Sequence, residues 1–492
     1  MSAYAALEER FRKLDALDRT LALLEWDRSV MMPKGAGETR AEQTATLAVM
    51  SHELLSDPET AAWIDQAKSE NLGDWQQANL REIERIHRQK VALPSDLVAA
   101  LAKAAQRSEL AWRDARAEAD FVTFSPLLAE VIRLVREEAA IKGEALRLGA
   151  YDALLASFQP GVDQRAIDRL FEPLADRLPD LLERVLTSQK KPLVPHGPFA
   201  VDRQRDLAQR LMAQIGFDFD RGRLDESTHP FCGGVPGDIR ITTRYDEADL
   251  ISGIMGVVHE TGHALYEAGR PEAWMAQPVG EARGMAAHES QSLIIEMQAC
   301  RSEPFLTFLS GQLIERFGEQ PAFMGDNLRH LTTFVSRGLI RVDADEVTYP
   351  LHILLRYRLE KALISGNLEV ADLPGAWNDG LFELLGVRPD NDRVGVLQDI
   401  HWPLGLFGYF PSYTLGALLA AQLFQAAVKT APTIPSDLGR GDFRGLLAWL
   451  RENVHGHGSR LSFDELVIAA TGQRLSADPF LSHLEKRYLT RG

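Results

Sequence analysis

The stretch VVHETGHALYEAG, residues 257–269, decides how the rest of the chain is read. On an α-helix, positions i and i+4 share a face one turn apart, so His259 and His263 can direct imidazole nitrogens to one point. Zinc at about 2.0–2.1 Å from each nitrogen fits that spacing. Glu260 lies about 100° round the helix, away from the ligand face but placed to hydrogen-bond a water on the metal, as a general base would. The apolar run DLISGIMGVV before the motif and Gly269 followed by Pro271 after it bound the helix. The plain alternative is an ordinary helix with two incidental histidines.

A catalytic zinc takes a third protein ligand and leaves one position open. The next helical segment, ARGMAAHESQSLIIEMQA (282–299), offers His288, Glu289 and Glu296. Glu289 follows His263 by 26 residues, enough for a loop and an antiparallel return. A carboxylate buried in MAAHESQSLII is costly unless it is compensated, as by ligation. His288, its neighbour, competes for the same role.

The remaining sequence narrows the setting. The chain has 492 residues, 45% hydrophobic and 25% charged, the balance of a globular protein with ample core. Its 54 basic and 70 acidic residues leave a formal charge of −16, which opposes binding to nucleic-acid phosphates. Two cysteines, Cys232 and Cys300, build neither a disulfide framework nor a zinc finger. The N-terminal stretch is charged throughout and has no signal-peptide pattern, and the longest apolar stretch, LGALLAAQLFQAAV (415–428), is too short to span a bilayer. The expectation is a cytoplasmic protein without a membrane partner.

Apolar residues recur at three- and four-residue spacing from Tyr4 to about Ala156, and again through IDRLFEPLADRLPDLLERVLTS and VDRQRDLAQRLMAQIGF. No Ser-, Gly- or Pro-rich run is long enough for a domain linker. The exception to helix is GDIRITTRY (237–245), whose β-branched residues predict a strand. The expected fold is mainly α: one large helical unit over residues 1–492, with a deep active-site groove and a small β-sheet beside the HETGH helix. Its helical N-terminal part covers about 1–200 and its metal-site part about 225–415.

Six motifs occur in order: HPF (229–231), DIRIT (238–242), HETGH (259–263), HESQS (288–292), IRVDADEVTY (340–349) and GVLQDIHW (395–402). With LLEWDRSVMMPKGAGETRAEQ, YDALLASFQPG and GLFGYFPSYTLGALLAAQLF they cover nearly the whole chain, which resembles the carboxypeptidase Taq family of metallocarboxypeptidases. ASFQPG is a mild departure from the family and touches no catalytic position.

The resemblance implies that His259, His263 and Glu289 are the ligands, that Glu260 is the base, and that His288 lies just behind them. It also implies one zinc per chain with cobalt tolerated, a homodimer, and hydrolysis of the C-terminal residue of peptides that carry a free carboxylate. Within the shared motifs, His229, His401, Tyr409 and Tyr413 are candidates to stabilise the transition state. DIRIT is expected to pair with the substrate backbone, braced by Asp238 and Arg240, for which a structural ion pair is the alternative. Arg341 is the candidate to grip the terminal carboxylate in a planar fork, the alternative being an ion pair with Asp343 or Asp345. Those acids and Glu346 are expected to orient basic groups or cap a helix rather than bind a second metal. An endo-acting oligopeptidase and a silent peptide-binding scaffold are the rival readings.

Overall fold

The computed structural model describes residues 1–227 and 230–489, so His229 lies outside the described residues. Among these, twenty α-helices surround one three-stranded sheet, the mainly helical architecture expected from the periodicity. Helix starts follow local chemistry: Ser2, Asp120, Asp163 and Asp249 each accept a hydrogen bond from a backbone N–H of the first turn, and Ser462 forms a capping box with Glu465. One apolar core runs from Trp112 to Tyr488, and a smaller one built on Tyr4, Leu7, Phe11, Leu55 and Ile83 joins the N-terminal helices. No described helix is long and apolar enough to cross a membrane.

The sheet comprises β1 (Gly222–Glu226), β2 (Phe231–Val235) and β3 (Asp238–Thr243) in the order β1-β3-β2, with β1 parallel and β2 antiparallel to β3. Ile239 and Ile241 of β3 pack with Met212, Phe217, Val257 and Ala264, which seats the sheet on the HETGH helix, Leu250–Gly269. The strand expected over DIRIT is present. Its expected pairing with substrate is not possible, because β3 is the central strand and both its edges are already paired. One outer edge of the sheet belongs to β2. A cavity of about 1020 Å³ there is lined by Cys232 to Pro236, by Asp18 and Arg19 of the first helix, and by Glu267 and His288.

Helix Gly284–Leu293 crosses the HETGH helix at Gly262 and the helix Pro411–Thr430 at Gly416. A Cβ at Gly262 would stand 2.4 Å from the carbonyl oxygen of Gln291, and one at Gly416 would stand 2.7 Å from Cβ of Glu289. Neither crossing has room for a methyl group. Gly262→Ala is expected to destabilise the fold by about 1–3 kcal/mol, the scale for overpacking. An unfolding midpoint equal to wild type would refute the close-contact account.

Candidate metal centre

The HETGH helix aims His259 and His263 the same way, with ring centroids 5.0 Å apart. The close crossing at Gly262 brings Glu289 onto the same point, where its Oε2 lies 3.4 Å from Nε2 of His263 and 4.0 Å from Nε2 of His259. One donor atom from each of the three residues lies within 4.8 Å of the others. The side chains of His259, His263 and Glu289 are 22%, 14% and 12% exposed, so a small solute can reach the shared point.

Ring orientation comes from behind. Glu296 Oε2 meets Nδ1 of His259 at 2.9 Å, which leaves Nε2 directed to the shared point. Glu296 lies in a π-helical stretch, Ile294–Cys300, and is itself held by Arg301 Nη2 at 2.6 Å. His288 points elsewhere: its Nε2 meets Glu267 Oε1 at 2.9 Å, and its ring stacks on His263 at 4.6 Å. It is not among the three converging donors.

Three carboxylates, Glu260, Glu289 and Glu296, thus crowd two imidazoles. Among the described residues, the guanidinium that pairs with any of them is Arg301, on Glu296. Burial raises the Glu260 carboxyl to about 7, with His259 opposing and Glu289 adding to the rise. Burial lowers His263 to about 4, which keeps its imidazole a neutral donor. His259 goes the other way, to about 10, because the hydrogen bond to Glu296 and the charges of Glu289 and Glu260 outweigh burial. Two imidazole nitrogens, one carboxylate oxygen and surplus negative charge at a half-open point fit a divalent cation.

A second group of side chains faces this centre from the loop before helix Tyr349–Ser365 and from the start of Pro411–Thr430. Arg341, 7% exposed, donates from Nε to Asp399 Oδ1 at 2.9 Å, and its guanidinium lies over Tyr413 and Phe410. The alternative ion pair with Asp343 or Asp345 is not formed, the partner being Asp399. Asp345 instead accepts the backbone N–H groups of Val347, Thr348 and Ser336, and Glu346 binds His483, Arg487 and Tyr488. Tyr413 Oη lies 3.2 Å from His401 Nε2, and its ring adjoins Tyr409 and Tyr349. Tyr413 stands one turn before Gly416, so one helix carries both this aromatic cluster and the wall against Glu289.

Asp238 and Arg240 pair with each other, at 2.9 and 2.6 Å, and the guanidinium lies 4.3 Å from the ring of Trp26. With Arg223 also over that ring, they tie the first helix to the sheet.

Sequence reasoning named Glu296 only as a possible ligand, and it overlooked Tyr349, Arg356, Gln398 and Asp399. Glu296 sits two turns after Glu289, a spacing that puts both on one helix face, and Gln398 and Asp399 lie inside GVLQDIHW.

The profile of the carboxypeptidase Taq (M32) metallopeptidase family matches residues 6–488. The chain is 39% identical to thermostable carboxypeptidase 1 of Thermus thermophilus, covering 99% of this chain and 98% of that protein. Metallocarboxypeptidase 1 of Trypanosoma cruzi superposes with a TM-score of 0.97 at 39% identity over 99% of both chains. The M32 carboxypeptidase of Deinococcus radiodurans does so with 0.94 at 34% identity, over 99% of this chain and 98% of that one. The three converging donors and these full-length likenesses together assign the chain to the carboxypeptidase Taq family of metallopeptidases, peptide hydrolases that act as metal-dependent carboxypeptidases.

Proposed function

We propose that His259, His263 and Glu289 hold one zinc ion, with cobalt an acceptable substitute, and that Glu260 is the general base of C-terminal peptide hydrolysis. The observation that carries this is the convergence of three donor atoms within 4.8 Å beside a buried carboxylate on the same helix. Zinc held there would act as a Lewis acid and water activator. Glu260 accepts the proton of the attacking water and delivers it to the departing amine nitrogen, so no covalent enzyme intermediate is needed. Its buried setting suits both transfers, since desolvation favours the protonated carboxyl that must then give the proton up.

Arg341 binds the terminal carboxylate through its Nη face, while Nε stays engaged by Asp399. Tyr409, Tyr413 and His401 supply donors toward the developing oxyanion. Asp238 and Arg240 act at one remove by holding the sheet and first helix together. His229 belongs to the HPF motif and is proposed on that ground alone. The whole chain, residues 1–492, acts as one catalytic unit and pairs as a homodimer, as the family likeness suggests. Two free cysteines suit the reducing cytoplasm.

Glu260→Gln keeps shape but cannot accept a proton, so turnover is expected to fall by about 10² to 10⁴ with metal content unchanged. Near-wild-type turnover would remove Glu260 from the mechanism.

Metal titration separates the ligands from their neighbours. Glu289→Ala should lose stoichiometric zinc, His288→Ala should retain it, and Glu296→Gln should weaken binding by about 10- to 100-fold through loss of His259 orientation. Retention by Glu289→Ala with loss in His288→Ala would reverse the assignment.

Amidation of the C-terminus tests end recognition. Free-acid peptides should yield ladders trimmed from the C-terminus, and their amides should be poor substrates. Internal cuts at equal rates in both forms would indicate an oligopeptidase instead.

A further inference from the structure

Behind Arg341 the protein buries a second arginine. Arg356, on the helix Tyr349–Ser365, has no exposed side-chain surface, and its guanidinium lies 4.6 Å from the ring of Trp377. Its Nε and Nη2 reach Asp399 Oδ2 at 2.7 and 2.5 Å, Nη1 donates to the carbonyl of His352, and Nη2 also donates to Gln398 Oε1. The other oxygen of Asp399 is the one that accepts from Arg341. Gln398 Oε1 also takes the backbone N–H of Arg341, and its amide donates to the carbonyls of Leu339, Val394 and Gly395. One carboxylate therefore serves two guanidiniums within a rigid frame.

The neighbouring groups do not restore neutrality. Burial and the adjacent arginines hold His352 and His401 down at about 3, so both imidazoles are uncharged. Glu360, one turn beyond Arg356, uses its oxygens on Tyr151 Oη, Trp402 Nε1 and the N–H of Gly408, and neither arginine donates to it. Burial raises its carboxyl to about 7, which weakens it further as a counter-charge. Among the described residues no second carboxylate pairs with Arg341. Its remaining face lies toward Tyr349 and Tyr413, the side nearest Glu289.

We propose that Asp399 and Arg356 are positioning residues for terminal-carboxylate recognition: Asp399 fixes Arg341 by its Nε, and Arg356, buried beyond the reach of substrate, cancels the Asp399 charge so that Arg341 remains an unmatched cation. With Arg341 and Asp399 alone the pair would be neutral, and a substrate carboxylate would be buried beside a like charge. With Arg356 present the cluster carries one positive charge in excess, and the substrate's anion completes it. This rests on the reading of Arg341 given above and adds a specificity-determining residue that never touches the ligand.

The test uses zinc-loaded enzyme, with kcat and KM on an N-acylated dipeptide and kcat/KM on its C-terminal amide. Arg356→Gln should raise KM for the free acid roughly tenfold or more, the effect of removing one poorly screened charge, with kcat and the amide reaction changed less than about threefold. Arg356→Lys, which keeps the charge, should recover most of the loss. If Arg356→Gln does not fold, Arg356→Met, which fills the same slot against Trp377, replaces it. If neither neutral variant folds, Asp399→Asn, which removes the shared counter-charge, is measured instead: a lower KM for the free acid supports a charge-balance role, and an unchanged acid-to-amide ratio overturns it.

Equal losses on acid and amide, or no rescue by lysine, would reduce Arg356 to a packing role and overturn the proposal. Arg341→Ala is measured alongside. If it leaves the acid-to-amide ratio unchanged, the reading of Arg341 itself fails. If it collapses that ratio while Arg356→Gln does not, only the inference about Arg356 fails.

Discussion

Glu289 is pressed against two histidines because the helix that carries it is held at two crossings where glycine leaves no space for a side chain. Gly262 lies on the HETGH helix itself, between His259 and His263 and against the backbone of Gln291 and Ser292. Gly416 lies on the opposite wall, against the aliphatic part of Glu289. The close approach forces three carboxylates and two imidazoles into one partly open space. That arrangement is electrostatically unfavourable by itself; Arg301 offsets the charge of Glu296, which orients His259, and the remaining carboxylates favour a cation.

The same scaffold builds the opposite electrostatic character nearby. Arg341 and Arg356 share Asp399, and the helix Pro411–Thr430 carries Tyr413 toward this positive cluster and Gly416 toward Glu289. A centre rich in carboxylates and a cluster with two guanidiniums thus pack against adjacent turns of one helix. The last helix, Asp478–Tyr488, couples the two regions: His483, Arg487 and Tyr488 bind Glu346 in the loop after Arg341, and Arg487 also donates to the carbonyl of Met297 beside Glu296.

The N-terminal helices add the groove rather than the chemistry. Trp26 lies near the guanidiniums of Arg223 and Arg240, each paired with an aspartate on its own strand, so the first helix is fixed to the sheet that overlies the HETGH helix. The cavity between that helix and β2 reaches His288, which stacks on His263.

Local sequence determined the helices, the short strand over DIRIT, and the facing of His259 and His263, because periodicity and the i, i+4 relation are properties of the backbone alone. Ordered motifs also pointed to Glu289 and Arg341 as residues that matter. Pairings between distant segments were not legible: that DIRIT would be the central strand, that Glu296 would orient His259, and that Arg341 would meet Asp399 rather than Asp343 or Asp345. Each of these joins residues whose approach is set by packing across 37 to 58 positions of chain in the ion pairs, or by strand order in the sheet. A charge in sequence has no fixed neighbour until tertiary packing supplies one, and here the packing placed two arginines on one aspartate.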